Sequence, residues 1–137
     1  MTKAFTDTRI DVKLVLCGLW TATLFVFAYV DIFGFYRADV IDGVLAGTVS
    51  STGFAVDQTF LLLTTLYVAV PALMVVVSLV ARATVSRVTN IVVGLFYAVT
   101  AAATLVGESW VYYIVGIVVQ VVLLLTIVRV AWTWPRT

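Results

Sequence analysis

The sequence predicts an all-α protein, an integral membrane four-helix bundle with both chain ends on the cytoplasmic side. Three observations carry this expectation. Of 137 residues, 64% are hydrophobic and 11% charged, and the mean hydropathy is +1.18, which leaves too little polar surface to coat a soluble helical domain. The charges stand apart from one another around long uncharged runs. The longest, positions 58–81 between Asp57 and Arg82, is enough at ~1.5 Å per helical residue to cross ~30 Å of hydrocarbon. The charges also sort by side. With four crossings, Lys3, Arg9, Lys13, Arg82, Arg87, Arg129 and Arg136 face Asp7 and Asp11 on one side, while Arg37 faces Asp31, Asp39, Asp42, Asp57 and Glu108 on the other. Basic loops stay in the cytoplasm, so both termini are expected there and the connection after the first helix is expected outside.

The first helix is expected over 12–35. Its apolar run continues through bulky Phe25, Phe27 and Tyr29 to Phe35, longer than the core of a cleaved signal peptide. Leu14, Cys17, Thr21, Leu24, Ala28 and Asp31 recur at helical spacing and form the expected contact face. Asp31 lies ~27 Å along the helix from Lys13, at the outer edge of the hydrocarbon. It reads either as an acid at the headgroup boundary or as an acid facing the mouth of the bundle. Arg37, the one base on that side, is expected to fold back over it.

Positions 36–56 form the long connection. Val40, Ile41, Val44 and Leu45 oppose Asp39 and Asp42 at helical spacing, which fits a short amphipathic helix on the membrane surface; a plain loop is the alternative. Asp57 stands where an N-cap belongs. The second spanning helix, over 58–81, carries Thr64, Tyr67, Pro71, Met74 and Ser78 on one face. A third is expected over 88–106, with Gly94, Tyr97, Ala98 and Ala101 on one face and Gly94, Ala98 and Ala102 as a small-residue row. Glu108 sits in a tight reversal. The fourth, over 110–132, presents Tyr113, Gly116 and Gln120, with Trp110, Tyr112 and Tyr113 at one membrane interface and Trp132 and Trp134 at the other.

Candidate binding residues follow from depth. Tyr67, Tyr97 and Gln120 fall at a common level, ~15 Å into the hydrocarbon, and Phe25 would add an aromatic wall. An unpaired amide there is costly, so Gln120 is expected to bond a hydroxyl of Tyr67 or Tyr97. The Tyr67 carbonyl, which Pro71 deprives of its helical donor, is a further candidate. With one cysteine, Cys17, and no histidine, a disulfide within the chain is excluded, and neither a metal site nor a cofactor is expected. A net charge of +1 without a basic stripe argues against nucleic acid.

Several short motifs together resemble an uncharacterised family of small four-helix bacterial integral membrane proteins, a domain of unknown function. They are Leu19-Trp20, Tyr29-Val30-Asp31, Gln58-Thr59-Phe60-Leu61-Leu62, Pro71, Arg87 with Asn90-Ile91, Gly94, Tyr112-Tyr113 and Ala131-Trp132-Thr133-Trp134. The resemblance implies acids in relatives just before the Pro71 position and at the Gln120 position. Ala69 and Gln120 stand there in this chain, which argues against a proton-linked or cation-linked role.

Three functions are compatible with these residues. The first is a non-catalytic accessory or self-assembling subunit of the inner (plasma) membrane, its partners being the lipid bilayer and further copies or a larger complex. The second is a carrier or receptor for a small lipid-like or aromatic ligand. The third, an intramembrane enzyme, lacks any nucleophile paired with a base.

Overall fold

The computed structural model describes residues 3–136. Met1 and Thr137, expected in the cytoplasm, lie outside the described residues. Five helices follow in order: α1 (Val12–Gly34), α2 (Ala38–Leu45), α3 (Gln58–Val80), α4 (Ala83–Ala103) and α5 (Val111–Trp132). All but α2 are long and apolar enough to cross a membrane. There is no strand among the described residues, only an isolated antiparallel bridge between Thr48 and Ala55 in the connection after α2.

Local chemistry sets the ends. Asp11 accepts the Lys13 N–H at 2.8 Å and starts α1, and Asp57 accepts the Phe60 N–H at 2.8 Å and starts α3, as expected. The amphipathic segment after α1 is helical, which settles the choice between helix and loop. Gly43 lets α2 sit directly on the following turn, because a Cβ there would come within 2.9 Å of the Thr48 carbonyl. Gly107, with φ of +78°, makes the reversal into α5.

At the opposite end of the helices, two bases close helix C-termini. Lys13 Nζ donates to the carbonyls of Ala81 (2.7 Å) and Leu79 (3.3 Å) at the end of α3. Arg87 Nε donates to the Ala131 carbonyl at 3.2 Å, and its guanidinium lies 5.9 Å from the centre of the Trp132 ring. Both satisfy orphan carbonyls and oppose the negative end of the helix dipole. This explains a correction: the third long helix spans 83–103, not 88–106. Arg87 need not lie outside it, since the end of α5 supplies acceptors for the charge.

Helix α5 packs along both α4 and α1, and α1 also packs along α3. Helices α3 and α4, although joined by only Ala81 and Arg82, meet along a much shorter front. The faces differ in part from expectation. On α1 the buried residues are Leu16, Trp20, Thr23, Val30 and Gly34, so the helix is turned away from the Leu14–Asp31 stripe; Leu14 is 58% exposed. Large Leu16 and Trp20 share that contact with small Thr23 and Gly34. On α4, Gly94, Tyr97, Ala98 and Ala101 are buried as expected, but Ala102 is exposed. Glycines fix the closest approaches. A Cβ on Gly94 would lie 2.9 Å from Val128 Cγ2, and one on Gly116 would overlap Val30 Cγ2.

The half nearest the α3–α4 link is held by a buried polar knot. Trp20 Nε1 donates to Asn90 Oδ1 at 2.7 Å, Ser78 Oγ donates to the same oxygen at 3.2 Å, and Asn90 Nδ2 donates to the Ser86 carbonyl at 2.7 Å. All four side chains are fully buried, and they join α1, α3 and α4 at one point.

Candidate functional site

The other half of the helix packing is hollow. A cavity of about 330 Å³ lies between all four long helices. Phe27 and Asp31 reach it from α1, Thr64 and Tyr67 from α3, Thr100 from α4 and Thr104 from just past its end, and Tyr113 and Gln120 from α5. The stripe on α3 shows why it opens here. Pro71, Met74 and Ser78 are buried, Tyr67 is half-buried and Thr64 is exposed, so the contact face of α3 runs out towards its N-terminal end.

The aromatic floor is well defined. Tyr97, 2% exposed, donates its hydroxyl to the Tyr67 carbonyl at 2.6 Å. This is the carbonyl that Pro71, four residues on, leaves without a helical donor. The Tyr67 hydroxyl shares a 2.6 Å hydrogen bond with Thr100 Oγ1. The two tyrosine rings lie 4.6 Å apart, and Phe27 stands edge-on to both at 6.1 and 6.5 Å.

Gln120 is 1% exposed, and its Nε2 has no hydrogen-bond partner among the described residues. The expected bond to a tyrosine is therefore corrected. The Tyr67 carbonyl is taken by Tyr97 and the Tyr67 hydroxyl by Thr100, so Gln120 lines the cavity with a donor to spare. Leaving a buried donor unmatched costs ~1–3 kcal/mol. Phe25 does not join the site: it is 60% exposed and lines a separate apolar groove between α1 and α5 with Tyr29, Phe33 and Tyr112.

Asp31 sits exposed on the cavity rim, and Arg37 does not cover it. The turn after α1 carries Arg37 instead to the α4–α5 reversal. There Nη2 meets Asp39 at 2.7 Å, Nη1 meets Glu108 at 3.2 Å, and the guanidinium lies 4.6 Å from the centre of the Trp110 ring. Hydrogen bonding to Asp39 raises the Arg37 pKa and lowers that of Asp39. Burial pushes the Glu108 carboxyl up, but the Trp110 N–H, the Arg37 side chain and the Ser109 N–H outweigh burial and hold it below the ordinary range. The folded pKa of Glu108 is thus below its unfolded value. Its contribution to stability is present above about pH 4.5 and is lost as pH falls through the folded value. Thermal unfolding between about pH 6 and 3 should show an acid-labile component that Glu108→Gln flattens. Arg37→Gln should cost ~1–3 kcal/mol, since Arg37 and Glu108 are largely covered and the carboxylate would lose a charged donor; an acid profile unchanged in both variants would show that the pair does not matter.

Sequence reasoning missed Trp20, Ser86 and Asn90 as one polar unit with Ser78. The available signal was that Asn90 is the chain's single asparagine and stands in an uncharged run. It also missed Thr100, Thr104 and Tyr113 as cavity residues. Among the described residues no group of three or more Cys, Asp or Glu gathers as a metal site would require.

Fold and cavity together define a small all-α chain with four helices fit to cross a membrane and a partly polar hollow among them. Over residues 4–137 the sequence matches a family of unknown function (DUF6326), and the chain belongs to that family. No curated protein and no solved structure matches it.

Proposed function

We propose that this chain is an integral protein of the plasma membrane that binds a small amphipathic molecule in the hollow of its helix bundle. The observation that carries the reading is Gln120, buried with its Nε2 unmatched, among the residues lining a cavity that all four long helices build. A ligand oxygen placed there would satisfy the amide, while Phe27, Tyr67 and Tyr113 supply apolar and aromatic area. Pockets of a few hundred Å³ with few polar groups on aromatic walls suit such ligands. An accessory-subunit role asks only for apolar outer faces, which every membrane helix presents, and leaves the cavity without a use. Native mass spectrometry of the full chain released from mild detergent is the test. The wild type should carry a small molecule that Gln120→Leu loses; a wild type bare in every preparation, or identical adducts in both proteins, would overturn the reading.

The same proposal places the N- and C-terminal ends in the cytoplasm and the connection after α2 outside, on the excess of basic residues beside the termini and the α3–α4 link. A cysteine introduced by Ser51→Cys should react with an impermeant thiol reagent on intact cells, and one introduced by Thr133→Cys should not. The reverse pattern would invert the topology.

A further inference from the structure

Resting on that reading, we infer that the molecule held in the cavity is an organic cation, with its ammonium group at Asp31 and its body running past the aromatic residues to Gln120. The inference starts from how charge is distributed at this end of the helices. Arg37 is the only base between Lys13 and Arg82 in the sequence, and it is already matched by Asp39 at 2.7 Å and Glu108 at 3.2 Å. Asp57 is engaged in capping α3. Asp31 is left on the cavity rim with no ion pair among the described residues, and no basic residue lines the cavity.

A carboxylate at the edge of a low-dielectric hollow favours a cation over a neutral molecule and repels an anion. The walls suit the same charge, because Phe27, Tyr67 and Tyr113 line the cavity and aromatic rings attract a positive group. At the far end Gln120 Nε2 can donate to an ether, carbonyl or hydroxyl oxygen. The ligand class is therefore a small arylalkylamine with one hydrogen-bond acceptor distal to the nitrogen. A volume of about 330 Å³, at the low end for ligand pockets, restricts it to one or two rings.

Two probes that differ only in the charged group test this: para-methoxyphenethylamine and para-methoxyphenethyl alcohol, titrated calorimetrically against the full chain in phosphatidylcholine nanodiscs. The amine should bind at least about tenfold more tightly than the alcohol, a difference of ~1.4 kcal/mol. Asp31→Asn and Asp31→Ser should each reduce that ratio to within about twofold, while Gln120→Leu should weaken both probes alike. Equal binding of the two probes to the wild type, or a preference for the amine that survives both Asp31 variants, would overturn the charge assignment while leaving a binding cavity in place. Failure of both probes to bind would overturn the charge assignment and count against the cavity itself.

Discussion

Asn90→Leu is expected to lower stability by about 2 kcal/mol. Leucine has the same number and branching of heavy atoms and is the larger side chain, so none of the loss is cavity formation. It removes the acceptor of the Trp20 indole N–H at 2.7 Å and of the Ser78 hydroxyl at 3.2 Å. Hydrogen bonds between membrane helices average only ~0.6 kcal/mol, because side chains in the dissociated state find other partners. Here the comparison is different, since two donors are stranded in a fully buried position between three helices, and the cost of an unmatched group decides the magnitude. Trp20→Phe in the Asn90→Leu background removes one stranded donor and should cost less than the same change in the wild type. Thermal unfolding of the four proteins in one detergent measures this cycle; additive losses would show that the indole and the amide are not coupled.

Gly116→Leu should separate α1 from α5. Even a Cβ at this position overlaps Val30 Cγ2, and the contact runs between two helices that pack along much of their length. Overpacking of this kind costs ~1–3 kcal/mol where neighbours can shift, and a leucine leaves no room for a small adjustment. Gly116→Ala should fall at the low end of that range, and Val30→Ala should restore most of what Gly116→Ala loses while being destabilising alone. A Gly116→Leu protein with unchanged unfolding temperature would mean that the two helices do not approach so closely.

The four long apolar helices, the short helix after the first and the Asp57 cap were legible because each depends on local pattern: run length between charges, alternation along a short segment, and an acid before an apolar stretch. The start of α4 was not, because Arg87 alone gives no hint that distant carbonyls of α5 will receive it. The face of α1 was misjudged for a related reason. Trp20 and Phe27 turn inward to meet Asn90 and the two tyrosines, partners invisible without the other helices. Tyr67 and Gln120 line one cavity and Tyr97 packs on Tyr67, near one another as their places along the helices imply. Depth could not say which hydroxyl would take which carbonyl, and that competition left Gln120 unmatched.

The short front between α3 and α4 bears on how the chain assembles during synthesis. Helix α3 finds its main neighbour, α1, already made, whereas α4 must wait for α5 to emerge before its own main face is covered. The chain thus divides into an early pair and a late pair, hinged at Ala81 and Arg82 and joined chiefly where α5 closes against α1. Two fragments cut at that hinge and produced together would each contain a complete helix pair, which makes the α3–α4 link the natural place to split the protein for complementation reporters.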